Sequence, residues 1–442
     1  MPDTLSSRRS FLQTTAAVAI SSSLTATSAL SYSRIPGAND RLGMGHIGIG
    51  ARGRGLEKIA SHLKDKQNFE MRAVCDLWTV NREAAAANVT GVYGRAPKSF
   101  QYMDDLLAMK DIDVALISTA DFQHATHLRI AAEAGKDVYC EKPMANNLDE
   151  AKATRDAVLK SGRICQIGTQ HRSEPYQIAV KDLLSTGALG DLSKVEIVWN
   201  YHGPRWRGRP EVKQIREQDT DWKKWLLNKP YRPFDPRAYF EFRLYRDFSA
   251  GLADQWLCHA IDLINYFFDD AEPRSVVSGG GVFAWHDGRE NPDTFQTLIE
   301  SNKGYLTSFS SSFGNDADSF TRLMGKKATL ENIGGEGSPR WKIIEEKSTH
   351  EDNPYVKRAE RFITLPGSTV VPPTFIDDNV TYHMDNFLDC VRSRKAPHAT
   401  VREGFAHSVT DIMATKSYWE GRKMYWHADT QTISADAPVS RS

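Results

Sequence analysis

Residues 42–53, LGMGHIGIGARG, decide the fold of this 442-residue chain. The first part of the stretch is mostly apolar or small, as in a short buried strand, and its end has the pattern Gly-x-Gly-x-x-Gly. Leu56, Ile59, Ala60 and Leu63 then recur at the spacing of one helix face. A strand, a glycine turn and a helix in this order are typical of a dinucleotide-binding unit.

Each residue of this turn has a predicted role. Gly48 permits the tight turn, Gly50 lets the backbone approach a pyrophosphate, and Gly53 allows the helix to pack closely on the strand. Ala51 and Arg52 stand at the helix N-terminus, where the helix dipole favours phosphate. We therefore predict that these five residues bind the cofactor.

An acidic residue follows the turn at the distance that such a site requires. Asp76 ends the next strand-like run, 23 residues beyond Gly53. A carboxylate there accepts hydrogen bonds from ribose hydroxyls and repels a 2′-phosphate. The sequence therefore predicts NAD as the cofactor, and Arg82, which lies nearby, leaves NADP as the alternative.

Strand-like and helix-like segments alternate through the first part of the chain. The apolar runs that predict further strands are residues 69–75, 113–118, 137–140 and 164–168. Stretches at helical spacing separate them. This alternation predicts an α/β fold with a doubly wound parallel sheet, and we assign this nucleotide-binding Rossmann domain to residues 40–168.

Composition excludes several classes of protein. Lys plus Arg number 56 and Asp plus Glu also number 56, so no bulk charge favours nucleic acid or an anionic membrane surface. The five cysteines are widely spaced and form neither a disulfide framework nor a zinc pattern. We expect no metal site, and we interpret Cys75, Cys140 and Cys165 as small buried hydrophobic residues.

The N-terminus has the layout of an export signal. Ser7-Arg8-Arg9-Ser10-Phe11-Leu12 resembles the twin-arginine motif, and residues 11–33 contain no charged side chain. Ser and Thr interrupt the apolar part, so it falls short of the roughly 20 apolar residues that span a bilayer. We expect residues 1–33 to be a removable leader, with cleavage near Ala29, that uses the twin-arginine machinery, delivers the protein to the periplasm and leaves no membrane anchor.

A second motif, VYCEKPMANN, occupies residues 138–147 at the end of another predicted strand. In an open parallel sheet, ligands bind beyond the carboxyl ends of the strands. A lysine held there, beside a nicotinamide, stabilises the negative charge that develops on a substrate oxygen as hydride leaves its carbon. Lys142 is therefore a candidate catalytic residue.

Taken together, the motifs resemble the glucose-fructose oxidoreductase and inositol dehydrogenase (Gfo/Idh/MocA) family. The similarity rests on the glycine turn, on STADFQH at residues 118–124, on Glu141-Lys142-Pro143, and on a later segment that contains His259 and Asp262. It extends over about residues 42–425, most of the chain that follows the leader.

The resemblance implies both a fold and an activity. After the Rossmann domain, we expect residues 169–442 to form a substrate-binding and oligomerisation domain of α/β type, with a large open, mainly antiparallel sheet. The implied enzyme acts on CH–OH groups and transfers hydride between NAD(P) and a secondary alcohol or carbonyl of a sugar, cyclitol or related molecule. Lys142 and His259 would assist proton transfer, and Glu141 and His124 would line the nicotinamide end.

Two acidic residues are assigned beside His259. Asp262 lies three residues further on, so on a helix it shares a face with His259 and is expected to orient the imidazole. Many family members carry an aspartate four residues before the histidine, where this chain has Gln255 and has Asp254 one position away. Either the helix start is shifted or the proton relay differs. Ala120, which replaces a usual proline, affects only the local loop shape.

Aromatic and basic residues are frequent in residues 199–248. They either build walls that stack on sugar faces or form core and subunit contacts, and the sequence does not separate the two interpretations. Residues 293–313 alternate like strands with one exposed face, which predicts an open sheet and a homo-oligomer. His383 and His407 receive no role.

Three functions are compatible with these motifs. The first is the oxidoreductase. Because export favours a cofactor taken up before secretion, we expect NAD to be tightly bound and recycled. The second is a glycosidase that oxidises its substrate transiently with retained NAD and releases the leaving group by elimination. The third is a non-catalytic nicotinamide-binding protein, against which the intact Glu141-Lys142-Pro143 argues.

Overall fold

A computed structural model describes residues 40–332, 341–346, 360–363 and 378–438. The predicted leader, residues 1–33, lies outside the described residues. Within those ranges, no helix combines the length and the apolar content needed to cross a membrane.

The first domain contains the predicted doubly wound sheet. Its six parallel strands are β1 (Leu42–Ile47), β2 (Phe69–Cys75), β3 (Lys98–Phe100), β4 (Val114–Ile117), β5 (Asp137–Cys140) and β6 (Cys165–Ile167). Their order is β3-β2-β1-β4-β5-β6. The chain reverses its direction of travel across the sheet between β1 and β4, and in such sheets a ligand crevice opens at this switch point.

Helices cover both faces of this sheet. They are α1 (Ala51–Leu63), α2 (Thr79–Tyr93), α3 (Met103–Leu107), α4 (His124–Glu133) and α5 (Leu148–Ser161). The boundaries of α5 follow from its sequence. The side chain of Asn147 accepts hydrogen bonds from the N–H groups of Asp149 and Glu150, and Gly162 ends the helix in the left-handed conformation. This helix begins directly after the Glu141-Lys142-Pro143 loop and fixes its far end.

The second domain is built on a ten-stranded sheet in the order β16-β15-β14-β13-β7-β11-β10-β9-β17-β18. The strands in this sheet are β7 (Leu192–Val198), β9 (Ser275–Gly281), β10 (Thr294–Glu300), β11 (Leu306–Ser312), β13 (Phe320–Gly325), β14 (Ala328–Asn332), β15 (Trp341–Glu345), β16 (Glu360–Ile363), β17 (Met424–His427) and β18 (Thr432–Ser434). A separate two-stranded ribbon pairs β8 (Tyr201–His202) with β12 (Gly314–Asn315). Only β7 and β11 pair in parallel among the described strands of the large sheet, so the expected mainly antiparallel sheet is confirmed.

One face of this large sheet is covered and the other is open. Along β10, Phe295, Thr297 and Ile299 are buried, whereas Leu298 on the opposite face is 45% exposed. Leu298 pairs across the strands with Val277, which is also exposed. The alternation predicted for residues 293–313 is therefore present.

The helices of the second half are α6 (Pro175–Ser185), α7 (Trp222–Leu226), α8 (Pro236–Phe240), α9 (Cys258–Phe268), α10 (Asp378–Ser393) and α11 (Val401–Glu420). A π-helical segment, Ala253–Leu257, leads directly into α9. Helix α10 returns to the first domain, because Val380, Met384 and Phe387 share a buried cluster with Met44 and Leu56. The second half of the chain thus completes the core of the first.

Candidate active site

A cleft of ≈ 900 Å³ opens beyond the carboxyl ends of the parallel strands, with walls from both domains. The glycine turn and Asp76 line one end, which we call the nucleotide end. Lys142 and His259 line the other, which we call the reaction end. The fold therefore brings the two separately predicted motifs into one space.

The glycine turn leaves room for a ligand at only one of its three glycines. A Cβ on Gly48, which has φ +83°, would lie 2.5 Å from Thr119 Cγ2, and a Cβ on Gly53 would lie 2.6 Å from the Gly48 carbonyl oxygen. A Cβ on Gly50 would meet no atom within 4 Å. The backbone at Gly50 and Ala51 consequently faces open space at the N-terminus of α1, as pyrophosphate binding requires.

Asp76 is held at the edge of the nucleotide end. Its Oδ2 accepts a hydrogen bond of 2.7 Å from the Ile49 N–H, and its Oδ1 accepts one of 2.9 Å from the Trp78 N–H. Burial raises the pKa of this carboxyl group, while the two backbone donors act in the opposite direction. The turn itself thus orients the carboxylate that would meet the ribose.

Arg82 does not face the cleft. Its Nη1 donates to the Asp76 carbonyl oxygen at 2.8 Å and its Nη2 donates to Thr79 Oγ1 at 3.2 Å. Arg54 does line the nucleotide end, and its Nη2 lies 3.5 Å from Glu211 Oε1. Arg54 therefore has an acidic partner at this end, whereas Arg82 is held by a backbone carbonyl and a hydroxyl group.

At the middle of the cleft, Arg52 and Glu141 connect the glycine turn to the lysine loop. Arg52 Nε donates to Glu141 Oε1 at 2.8 Å, and Glu141 is almost fully buried. His124 approaches the carbonyl oxygens of Pro143 at 2.8 Å and Thr119 at 3.1 Å. Burial lowers the pKa of His124, so this neutral imidazole fixes the loop that carries Lys142.

Lys142 contacts the π-helical segment. Its Nζ donates to the Gln255 carbonyl oxygen at 2.9 Å and to Gln255 Oε1 at 3.1 Å. Gln255 Nε2 donates in turn to Asp121 Oδ2 at 2.6 Å. The amide therefore bridges the ammonium group and a buried carboxylate, at the position where many family members are expected to carry an aspartate.

Asp254 lies behind Lys142 and does not line the cleft. Its Oδ2 accepts hydrogen bonds from the Ala250 N–H at 2.6 Å and Ser249 Oγ at 3.4 Å. Burial raises the pKa of Asp254 to about 7, and the charge of Asp121 adds to the effect. Gln255, the neighbour of Asp254, takes the position that faces Lys142, and a role of Asp254 in the reaction stays a prediction.

The predicted pair of His259 and Asp262 is not formed. Asp262 Oδ2 accepts a charge-assisted hydrogen bond of 2.6 Å from Arg172 Nε, and its Oδ1 lies 3.5 Å from His407 Nδ1. His259 Nδ1 has no hydrogen-bond partner in the part of the chain that the structure describes. A guanidinium outcompetes a neutral imidazole for the carboxylate, so Asp262 stabilises the helix packing instead of orienting His259.

His259 itself lines the reaction end as predicted from the resemblance. Burial lowers its pKa well below the usual value, and the positive charge of Lys142 acts in the same direction. This histidine is therefore neutral over the physiological pH range.

Sequence analysis missed His171, which lines the cleft beside His259. His171 Nδ1 lies 2.5 Å from Glu174 Oε1, and the rings of His171 and His259 meet edge to face with centroids 5.1 Å apart. The available signal was the segment GTQHRSEP, residues 168–175, which places a histidine just past the end of β6 at the ligand-binding edge of the sheet.

The aromatic segment is divided between the cleft wall and the core. Trp199 and Trp256 stack at 5.2 Å in the cleft wall, and the guanidinium of Arg205 lies 5.3 Å from the Trp256 ring. Further along, Trp222 and Phe248 belong to a buried aromatic cluster. The first part of the segment thus lines the reaction end, and the later part supports it.

The two histidines that received no role, and the cysteines, have structural positions. His383 is buried with Nε2 2.8 Å from the Ile167 carbonyl oxygen, and His407 lies beside Asp262. All five cysteines are buried and unpaired, which confirms the interpretation of Cys75, Cys140 and Cys165. The described ranges contain no group of three or more His, Cys, Asp or Glu residues arranged to hold a metal ion.

Comparison with known proteins identifies both halves of the chain. Residues 42–169 match the family model described as "Oxidoreductase family, NAD-binding Rossmann fold", and residues 227–425 match its companion, "Oxidoreductase family, C-terminal alpha/beta domain". Inositol 2-dehydrogenase of Salmonella typhimurium is 28% identical over 206 residues, which cover 44% of this chain and 57% of that enzyme. The match thus spans little more than half the length of that curated relative.

Two further relatives extend the comparison. The scyllo-inositol 2-dehydrogenase (NAD(+)) of Bacillus subtilis is 24% identical over 321 residues, 72% of this chain and 78% of that protein. A glycosyl hydrolase family 109 protein of Shewanella pealeana is 27% identical over 244 residues, 50% of this chain and 51% of that protein.

Solved structures share the fold. Levoglucosan dehydrogenase in complex with NADH and levoglucosan superposes with a TM-score of 0.65 at 17% identity, over 87% of this chain and 98% of that one. The WlbA dehydrogenase of Bordetella pertussis, in complex with NADH and UDP-GlcNAcA, gives 0.64 at 17% identity, over 88% and 100%. With both domain models matched in order along most of the sequence, the chain belongs to the Gfo/Idh/MocA oxidoreductase family and carries its NAD-binding Rossmann fold.

Proposed function

We propose that this protein is an NAD-dependent oxidoreductase that transfers hydride between the nicotinamide and a secondary alcohol or carbonyl of a sugar or cyclitol. The observation that carries the proposal is the position of Lys142. Its ammonium group lies in the same cleft as the glycine turn and Asp76, opposite a wall of stacked tryptophans. The inositol and sugar dehydrogenases among the relatives support the substrate class.

The residues at the nucleotide end fit NAD. The open backbone at Gly50 would hold the pyrophosphate and Asp76 the ribose hydroxyls, while the Arg52–Glu141 pair and His124 would line the nicotinamide end. When bound, NAD supplies the hydride acceptor. We favour NAD over NADP because Asp76 would repel a 2′-phosphate and Arg82 is engaged with backbone and hydroxyl oxygens.

The chain's own groups at the reaction end would handle the substrate oxygen and its proton. The Lys142 ammonium would stabilise negative charge on the oxygen, and the Gln255 bridge to Asp121 would hold the ammonium in place. An imidazole in the cleft would exchange the hydroxyl proton, and the family resemblance assigns this to His259. Trp199 and Trp256 would stack on the apolar face of a ring.

A second candidate is a glycosidase that retains NAD and cleaves by oxidation and elimination. It is favoured by the similarity to a glycosyl hydrolase family 109 protein and by the uncharged Gln255 beside Lys142. Release of the aromatic alcohol from aryl glycosides, without net NADH formation, would distinguish it from the dehydrogenase.

We further propose that the protein is exported to the periplasm through the twin-arginine machinery with its cofactor already bound. The charge pattern of residues 7–33 supports this proposal. We also propose a homo-oligomer that covers the open face of the large sheet, where Val277, Leu298 and Leu306 are exposed.

The test is a panel of aldoses, ketoses, aldonic and uronic acids and inositols, incubated with the protein and NAD while reduced-nicotinamide absorbance is followed. We expect turnover with at least one ring compound that carries a secondary hydroxyl, with NADP weaker than NAD. Binding of NADH without oxidation or reduction of any compound, and without aryl glycoside cleavage, would reject the proposal and favour a non-catalytic nicotinamide-binding protein.

A further inference from the structure

We propose that the reaction end of the cleft contains a subsite for a carboxylate at Arg205, and that the substrate is an acidic ring sugar of the uronic acid class. This inference rests on the proposed function, because it assigns a substrate class to the same cleft. Arg205 lines the cleft beside stacked aromatic rings, and its guanidinium has no carboxylate partner among the described residues.

The arginines that line the cleft differ in their partners. Three of them have a carboxylate within 3.5 Å, in the pairs Arg52–Glu141, Arg54–Glu211 and Arg243–Asp121. Arg205 and Arg209 have no such partner in the part of the chain that the structure describes. Arg209 lies two residues before Glu211, which pairs with Arg54 at the nucleotide end. Of the described arginines, Arg205 is therefore the one left unpaired at the reaction end.

Both the backbone and the side chain of Arg205 are held in place. Its N–H donates to the Gly203 carbonyl oxygen at 2.8 Å, and its own carbonyl oxygen accepts a hydrogen bond from Arg289 Nη2 at 3.5 Å. The guanidinium lies 4.9 Å from the Tyr201 ring and 5.3 Å from the Trp256 ring. Stacking on rings uses the face of a planar guanidinium and leaves the N–H donors on its edge for an acceptor in the plane.

The rings that support Arg205 belong to the protein core. Phe313 is fully buried, and it meets Tyr201, Trp206 and Trp256 edge to face with centroids 6.2, 5.2 and 5.0 Å away. A guanidinium that is already positioned on such a support loses less conformational entropy when a ligand binds. The packing therefore prepares Arg205 for an acceptor in the cleft.

An aromatic wall connects Arg205 to the groups of the reaction. Trp199 stacks on Trp256 with ring centroids 5.2 Å apart, and its centroid lies 6.4 Å from that of His259. Arg205 lies on the same Trp256. A sugar ring on the tryptophans would thus have its reacting hydroxyl near His259 and a substituent on its far side near Arg205.

The charges in the cleft favour an anion at this place. The described acidic residues that line the cleft are Asp76, Asp104, Glu141 and Glu211. Asp76 and Glu211 lie at the nucleotide end, Asp104 follows β3 beside the strand that carries Asp76, and Glu141 is paired with Arg52. Lys142 and Arg205 therefore give the reaction end a positive charge, which attracts a negatively charged substrate.

The local structure favours a carboxylate over a phosphate. The edge of one guanidinium presents two parallel N–H donors, which match the two oxygens of a carboxylate. Phosphate sites commonly add the free N–H groups of a helix N-terminus. Residues 203–209, around Arg205, form neither helix nor strand.

The first test measures binding and does not require turnover. The protein saturated with NADH is titrated in a calorimeter with D-glucuronate, with D-galacturonate, and with the uncharged methyl ester of each. We expect at least one uronate to bind tenfold or more tightly than its ester, roughly the effect of one hydrogen-bonded charge pair. Arg205→Gln should abolish this difference, and Arg205→Lys, which keeps the charge without the planar edge, should retain part of it.

Arg246→Gln is the matched control. Arg246 is also exposed, and its guanidinium also lies over a tryptophan, 4.5 Å from the Trp419 ring, but it does not line the cleft. Its substitution should leave the preference for the acid unchanged. Equal binding of acid and ester by the wild type, or an acid preference that survives in Arg205→Gln, would overturn the inference. Tighter Arg205-dependent binding of glucose 6-phosphate than of either uronate would assign the subsite to phosphate and reject the carboxylate.

Kinetics with NAD separates this inference from the proposed function. We expect the ratio of kcat/KM for the uronate to kcat/KM for its ester to fall roughly 10–100-fold in Arg205→Gln. Most of the change should be in KM, because the carboxylate is remote from the reacting carbon. Turnover of neutral sugars with no preference for acids would reject the inference and leave the proposed function standing. If no compound transfers hydride, the proposed function fails, and the calorimetric comparison still decides whether Arg205 binds a carboxylate.

Discussion

The nucleotide end and the reaction end of the cleft are built in different ways. At the nucleotide end, Asp76 is held by the N–H groups of Ile49 and Trp78, so backbone geometry fixes the site. At the reaction end, Lys142 depends on Gln255 and Asp121, which come from two other segments. A site held by backbone follows from a local motif, whereas a site held by side chains depends on which partners tertiary packing brings together.

The substitution with the largest expected effect removes the charge at the reaction end and leaves the nucleotide end unchanged. Lys142→Ala should lower kcat by about 10³-fold, because the stabilising charge on the substrate oxygen is lost and the Gln255 amide loses its partner. NADH affinity, measured by fluorescence titration, should change little.

Lys110→Ala, an exposed lysine of the same domain, serves as the control. A Lys142→Ala enzyme with near-normal kcat would show that the ammonium group takes no part in the reaction.

The nucleotide end should be sensitive to the addition of a single methyl group by substitution. In Gly53→Ala the new Cβ would lie 2.6 Å from the Gly48 carbonyl oxygen, so the turn must move, at a cost of roughly 2–3 kcal/mol. We expect a lower midpoint in urea unfolding together with weaker NADH binding.

Gly55→Ala is the matched control in the same helix, because a Cβ there meets no atom within 4 Å. It should leave binding intact and raise stability slightly. If Gly53→Ala and Gly55→Ala had equal unfolding midpoints and equal NADH affinities, close packing at Gly53 would be contradicted.

The buried acid behind Lys142 should make stability depend on pH. Burial raises the pKa of Asp254 to about 7, so the folded protein holds this proton over a range in which the unfolded chain, with a usual value near 4, has released it. Stability contributed by this group is therefore present at low pH and is lost as pH rises from about 4 to 7.

In Asp254→Asn, the free energy of unfolding should lose this dependence on pH. The stability of the variant relative to wild type should therefore increase by roughly 2 kcal/mol from pH 5 to pH 8. Urea unfolding at the two pH values measures the difference. A constant difference between variant and wild type would show that Asp254 is ionised throughout.

The smallest expected effect concerns the choice of cofactor. Asp76→Asn keeps an acceptor for one of the two N–H groups, turns its NH₂ toward the other, and removes the charge that repels a 2′-phosphate, so the preference for NAD over NADP should shrink by about tenfold. Titration with NADH and NADPH gives the ratio. An unchanged ratio would place the discrimination elsewhere, for instance at Glu211 beside Arg54.

The sequence predicted the nucleotide end and the lysine loop because both are contiguous motifs. It predicted that Lys142 and His259 lie in the site, but it did not predict the hydrogen-bond partners of the nearby acidic residues. Asp262 shares a helix face with His259, and only the tertiary fold shows that Arg172, 90 residues earlier, takes its carboxylate. Helical spacing defines which side chains are neighbours, and it does not rank their competing partners.

No pattern in the sequence predicted the π-helical turn at Ala253–Leu257. In this turn the side chain of Gln255, and not that of Asp254, contacts Lys142, although the two residues differ by one position. The sequence analysis overlooked His171 and Glu174 because a histidine and a glutamate that follow a strand carry little information by themselves. Their place in the site depends on the packing of the second domain around them. The family resemblance predicted the large antiparallel sheet. The sequence of residues 293–313 predicted that buried and exposed side chains alternate along its strands.

Nucleotide analysis of the protein purified from its native source tests whether the glycine turn and Asp76 hold a nicotinamide cofactor near Lys142. The protein is denatured, and the released small molecules are identified by mass spectrometry and absorbance, with Gly53→Ala processed in parallel. We predict close to one NAD(H) per chain in the wild type and a much lower content in Gly53→Ala. A wild-type protein that contains no nucleotide and does not retain added NAD through desalting would contradict a tightly held cofactor in this cleft.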